Sequence, residues 1–165
     1  MSRKASAKSR AEKPSAYNKA LGLLVRREQS ERELKAKLSR SGYSDAETGE
    51  AIDALKAQKY QSDERFAELL ARSRAANGYG PRRISAELKS NAIGDAVIAA
   101  AIAGLECDWR DLAERQLLRH YGRNPPADMK ERSKRAAFLL RRGFDASTVS
   151  ALTRAEIGDP GDEFD

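Results

Sequence analysis

The sequence predicts an all-α protein, an elongated right- or left-curving array of three tandem three-helix repeats. The first observation is internal repetition. Ser30 to Asp45, SERELKAKLSRSGYSD, returns fifty residues later as Gly80 to Asp95, GPRRISAELKSNAIGD. Leu34 falls on Ile84, Leu38 on Leu88, Tyr43 on Ile93 and Asp45 on Asp95. A weaker echo, AAFLLRRGFDAS, sets Leu139, Gly143 and Phe144 in the places of Leu38, Gly42 and Tyr43. Similarity at a fixed period marks units that hide their apolar faces by stacking on neighbours. The second observation is periodicity: apolar residues recur at three- and four-residue spacing, and nowhere do they alternate as in a strand. The third is composition. With 40% hydrophobic but only 6% aromatic residues, the core must be built from Leu, Ile and Ala, which suits narrow helical stripes.

Residues 1–14 read as a disordered basic segment, with Arg3, Lys4, Lys8, Arg10 and Lys13 against Glu12. The first repeat spans 15–60. Ser15 precedes a helix over 16–28 with Ala20, Leu21, Leu24 and Val25 on one side. Ser30-x-x-Glu33 is a capping box that opens a helix over 31–41 with Leu34 and Leu38 inward. Gly42 can take the left-handed conformation that closes it. Ser44-x-x-Glu47 is a second box, opening 45–58 with Thr48, Ala51, Ile52 and Leu55 in one stripe.

The second repeat spans 61–106. Ser62-Asp63 starts a helix over 63–76 with Phe66, Ala67 and Leu70 inward, and Asn77-Gly78-Tyr79-Gly80 ends it. Pro81 suits a first helical position and opens 81–91, with Ile84 and Leu88 inward. Asp95 begins 95–105, whose Val97, Ile98, Ala101, Ile102 and Leu105 form the most apolar stripe of the chain. Ile102→Ala is expected to cost about 2–5 kcal/mol if that side chain is inward.

The third repeat, 107–155, is degenerate. Asp108 caps a helix through Tyr121 with Leu112, Ala113 and Leu117 inward, and Asn124-Pro125-Pro126 breaks the chain. A helix over 127–142 follows, with Ala136, Leu139 and Leu140 on its buried side, and Gly143 ends it. A short helix over 146–153 carries Val149 and Leu152. Arg135 stands where Leu34 and Ile84 stand, and no capping box opens its helix. Residues 156–165, with five acids and no base, read as an acidic flexible tail.

Several function classes find no support. No apolar run approaches the ~18 residues of a membrane span, and no apolar segment follows the basic start as in a secretory signal. Cys107 is alone, so no internal disulfide forms, and a cytoplasmic protein is expected. His120 is the one histidine, which leaves no pair for a metal or a proton relay. Asn77-Gly78-Tyr79-Gly80-Pro81 follows a helix and lacks the lysine of a phosphate loop, so it is a turn. No catalytic residue, cofactor site or metal site is assigned, and the protein is read as a non-enzyme.

Charge is the better lead. The net charge is +6, and because residues 156–165 carry five acids and no base the rest of the chain is more basic still, as suits a polyanionic partner. Arg26-Arg27, Arg72 with Arg74, Arg82-Arg83 and Arg141-Arg142 lie beside inter-helix turns, and Lys130, Lys134 and Arg141 share one helical face. These ten form the candidate partner or nucleic-acid surface. The pair of helices from Leu34 to Ile52 also has the layout of a helix-turn-helix, giving the alternative of a direct DNA-binding helical regulator. Against it, its second helix opens with Asp45, Glu47 and Glu50, which repel phosphate.

The chain resembles the RecX family, bacterial regulators of the recombinase RecA. The resemblance rests on Ser30-x-x-Glu33-Leu34-x-x-Lys37-Leu38 with Gly42, on Asp63-x-x-Phe66-Ala67, on Gly80-x-x-x-Ile84-x-x-Glu87-Leu88 and on Leu139-x-Arg141-Arg142-Gly143-Phe144, covering roughly residues 16–155. It implies three three-helix units lying along the groove of the RecA filament on single-stranded DNA. Filament growth, ATP turnover, strand exchange and cleavage of the SOS repressor are thereby suppressed. A monomer with no cofactor and no membrane partner is expected, and any direct DNA binding is expected to be weak and non-specific.

Overall fold

The structure, a computed structural model, describes residues 12–154; the expectations for the basic start and the acidic tail fall mostly outside that range. Among the described residues there are nine helices and no strand. They are α1 (Ala16–Arg26), α2 (Glu31–Arg40), α3 (Asp45–Ala57), α4 (Asp63–Ala76), α5 (Pro81–Ser90), α6 (Asp95–Ala103), α7 (Trp109–Tyr121), α8 (Met129–Arg141) and α9 (Ala146–Thr153). The chain forms two compact units, one through Ser62 and one from Asp63 onward.

In the first unit, α1 to α3 enclose Ala16, Ala20, Leu34, Leu38, Tyr43, Ala51, Ile52 and Leu55. The helix starts follow from local chemistry. Ser15 Oγ accepts from the Asn18 N–H, and both reciprocal bonds of the capping box form at Ser30–Glu33 and at Ser44–Glu47. Val25, expected on the inner side of α1, is 80% exposed, whereas Leu21, Leu23 and Leu24 pack partly buried against the core. Lys13 and Pro14, read from sequence as part of the disordered lead, lie against Tyr43: its hydroxyl donates to the Pro14 carbonyl, and the Lys13 ammonium sits over its ring.

The second unit holds two cores. One gathers Phe66, Ala67, Ala71, Ile84, Leu88, Ile93, Ile98 and Ala101, the other Leu112, Ala113, Ala136, Leu139, Phe144 and Val149. Trp109 packs against both and ties them together. Ile102 is only partly buried at the edge of its cluster, whereas Ile98 and Ala101 are inside. Its truncation should therefore fall at the low end of the expected range. Leu140, placed on the buried side of α8 by spacing, is instead 38% exposed, since Ala136 and Leu139 fill the contact.

The second helix of every triplet ends the same way. Gly42, Ala92 and Gly143 take positive φ, and their N–H groups donate to Ser39, Lys89 and Leu140. The next residue, Tyr43, Ile93 or Phe144, donates to Leu38, Leu88 or Leu139 at 3.2 Å and buries its side chain. This is the Schellman closure with its hydrophobic contact. The third repeat keeps it despite its degenerate sequence. Only Ala92 carries a side chain at the left-handed position, so Ala92→Gly is expected to stabilise the second unit by about 0.5–1 kcal/mol, read as a rise in melting temperature.

The start of α8 shows how the third repeat departs. Asp128 accepts from the Glu131 N–H, and Glu131 reaches back to the N–H of Ala127 rather than to that of Asp128. A box therefore exists, displaced by one residue, and the helix begins at Met129 rather than 127. Arg135, 8% exposed in the place of a core leucine, bonds the Asn124 carbonyl and Glu131 and lies over the Tyr121 ring. Its buried guanidinium holds the 122–128 connection where Leu34 and Ile84 hold only a core.

Candidate functional site

In the second unit α5 and α8 meet end to end. The start of α5 has no capping side chain, because Gly80 stands where Ser30 stands in the first repeat. Its free N–H groups find acceptors at the end of α8: Gly80 N–H donates to the Arg142 carbonyl at 2.7 Å and Arg82 N–H to the Gly143 carbonyl at 2.9 Å. Each helix thus satisfies orphan groups of the other, the negative end of α8 meeting the positive end of α5. The approach requires two glycines. A Cβ on Gly80 would stand 2.4 Å from the Gly143 oxygen, and one on Gly143 would stand 2.4 Å from the Arg83 nitrogen.

Side chains lock this joint. Arg142 donates to the carbonyls of Asn77 and Gly78 at 3.1 and 3.3 Å, and its guanidinium lies near the rings of Tyr79 and Phe138. Arg83 covers the other side of the group, 4.5 Å from the Tyr79 ring centre, and donates to the Arg141 carbonyl. His120 stacks on Phe138 and Tyr121 meets it edge-on, so an arginine–aromatic row continues across the third repeat. Beside the joint, an open cleft is lined by Arg74, Asn77, Tyr79, Arg83, Ala86 and Glu87.

In that cleft Arg74 grips Glu87 with two bonds of 2.7 and 2.6 Å. Those bonds hold the Glu87 carboxyl below its ordinary value of 4.5 against the opposing effect of burial, and they raise Arg74. A carboxyl depressed in the fold stabilises it fully above the unfolded value, and the gain is lost as pH falls through the folded one. Thermal melts of the parent and Glu87→Gln should therefore differ at neutral pH and converge in the acid range below 4.5. A constant difference across that range would contradict the pairing.

The ten basic residues singled out by sequence thus divide. Arg26, Arg72, Lys130, Lys134 and Arg141 are exposed and close no salt bridge among the described residues, although the Lys134 charge helps to hold the Glu131 carboxyl below its ordinary value. Arg27 is committed to Glu33 through bonds of 3.0 and 3.1 Å, and Arg74 to Glu87. Arg82 stands 3.9 Å from Asp145, while Arg83 and Arg142 belong to the joint. Lys130, Lys134 and Arg141 do lie on the exposed side of α8, as spacing suggests. Gly80, Tyr79, Gly143 and Trp109 were missed. The signal for Gly80 was available: a helix start that has lost the capping serine of its sister repeat must satisfy its N–H groups elsewhere.

Among the described residues no group of acids, histidine and cysteine could hold a metal, and no helix is long and apolar enough to cross a membrane. Cys107 is half-buried, which pushes its thiol upward, away from the reactive thiolate.

Comparison with known proteins adds the family. The chain matches models for the first, second and third three-helix domains of RecX over residues 16–55, 62–102 and 107–152. It is 41% identical to the Regulatory protein RecX of Xanthomonas citri over 141 residues, 86% of this chain and 87% of that protein. It is 43% identical to the Regulatory protein RecX of Stenotrophomonas maltophilia over 141 residues, 86% of each. In fold it is similar to the crystal structure of RecX from Lactobacillus salivarius, with a TM-score of 0.69 and 21% identity over 84% of this chain and 92% of that one. A second RecX crystal structure gives a TM-score of 0.72 and 22% identity over 84% and 71%.

Proposed function

The chain belongs to the RecX family, and from that premise we propose that it is a non-enzymatic modulator, mainly an inhibitor, of the recombinase RecA. It binds along the groove of the RecA filament on single-stranded DNA and suppresses filament growth, ATP turnover, strand exchange and co-protease activity. It acts in the cytoplasm. The observation that carries this reading is identity above 40% to proteins named Regulatory protein RecX across 86% of the chain. The exposed cations Arg72, Lys130, Lys134 and Arg141 support it, since they suit a surface that contains DNA phosphates. Contact with naked DNA is weak and salt-sensitive, because phosphate contacts carry no base information. The helix-turn-helix alternative gains no support: Asp45, Glu47 and Glu50 are exposed along the start of α3.

The test reverses charge on α8 while sparing the joint. A Lys130→Glu, Lys134→Glu, Arg141→Glu variant should keep its melting behaviour, since exposed substitutions change stability by about ±0.5 kcal/mol each. Arg142 is left intact because it holds the joint. RecA filament growth on single-stranded DNA, followed with increasing amounts of parent or variant, should be inhibited about tenfold less effectively by the variant, a difference of about 1.4 kcal/mol. Equal inhibition at both low and moderate salt would remove α8 from the functional surface.

A further inference from the structure

The end of α2 repeats the acceptor half of the joint in an exposed setting. Gly42 has φ 82 where Gly143 has 90, and the same two closing bonds surround it. Arg40, Ser41 and Gly42 stand where Arg141, Arg142 and Gly143 stand, and the latter three carbonyls receive Arg83, Gly80 and Arg82. In the first unit the matching carbonyls accept no hydrogen bond from the described residues. Gly143 is buried, whereas Gly42 is exposed. A Cβ at Gly42 would meet only the tip of Lys13, 3.5 Å away.

We infer that this end of α2, around Ser41, Gly42 and Tyr43, is an interaction surface that receives the N-terminus of a helix with glycine at its N-cap, presented by a partner protein. The joint shows what fits: a helix start that lacks a capping side chain, brings two free N–H groups and carries no Cβ where the backbones cross. Carbonyls and the negative end of the α2 dipole favour such a start over a helix C-terminus. A second copy of this chain is a poor occupant, because its matching helix start at Gly80 is already engaged by Gly143. Lys13 sits at the rim with its ammonium over the Tyr43 ring, and a docking helix would have to displace only the end of that long side chain. This deepens the proposed function, on which the identity of the partner as RecA rests.

Two readouts separate the surface from that identity. The first uses a lactam-stapled peptide of residues 80–90 of this chain, titrated into the isotopically labelled protein. Amide shifts centred on Gly42 and Tyr43, absent with the Gly80→Ala peptide, are expected. No shifts there, or equal shifts with the alanine peptide, overturn the inference whatever RecA does. The second uses Gly42→Asn, since asparagine tolerates positive φ better than other side chains, and Lys13→Trp, which covers the surface from outside the helix. Either variant, with parental melting, should inhibit RecA at least about tenfold less. Unchanged inhibition by both overturns RecA's use of the surface and leaves the proposed function standing. A parent that does not inhibit RecA sinks the proposed function alone. Loss of self-association instead would assign the surface to a second copy and also overturn the inference.

Discussion

Gly143→Ala is expected to destabilise the second unit by about 2–5 kcal/mol. Two costs add. Alanine at φ 90 carries the left-handed penalty of about 1–2 kcal/mol, and a Cβ 2.4 Å from the Arg83 nitrogen forces the backbones apart at the further cost of overpacking, about 1–3 kcal/mol. For a unit of this size, each kcal/mol moves the melting temperature by about 4–8 °C, so a fall of more than about 10 °C should be measured. Two companions separate the terms. Gly80→Ala keeps an ordinary φ of −84 and should show the steric cost alone. Gly42→Ala, at the same φ but in the open, should show the conformational cost alone. If Gly143→Ala melts no lower than Gly42→Ala, the close approach of the end of α8 to the start of α5 does not exist in solution.

Phe144→Ala should cost about 3–5 kcal/mol, the range for truncating a fully buried phenylalanine. The ring is 1% exposed and anchors the third core beside Leu139 and Val149. Its backbone N–H also closes α8 onto the Leu139 carbonyl, so the cavity opens where the helix end and the joint meet. Denaturant unfolding should show a lower midpoint with an unchanged slope. A shift below about 1 kcal/mol would mean that the third core is looser than its burial implies.

The helices were legible because each boundary had a local cause: Ser15, the boxes at Ser30 and Ser44, Pro81, Asp108 and the glycines after α2 and α8. The buried stripe of α3 followed from spacing alone. Errors arose where a stripe outran its neighbour. Val25 and Leu140 fit the periodicity, yet no element packs over them, and periodicity reports a face without saying how far the facing element extends. The basic surface was legible only in part. Sequence shows charge but not commitment, and it could not separate Arg141, which points outward, from Arg142, which reaches across to Asn77 and Gly78. The joint was hidden for a related reason. Gly78 and Gly80 read as turn residues, but Gly80 and Gly143 matter because two backbones far apart in sequence cross there.

Restraint of RecA by this chain, as proposed, can be read from a single titration. RecA ATP hydrolysis on single-stranded DNA should be measured at moderate salt with increasing amounts of the protein. Suppression at amounts well below one protein per RecA is the expected result, since blocking filament growth affects many protomers. Undiminished hydrolysis at equimolar protein would rule out the proposed restraint.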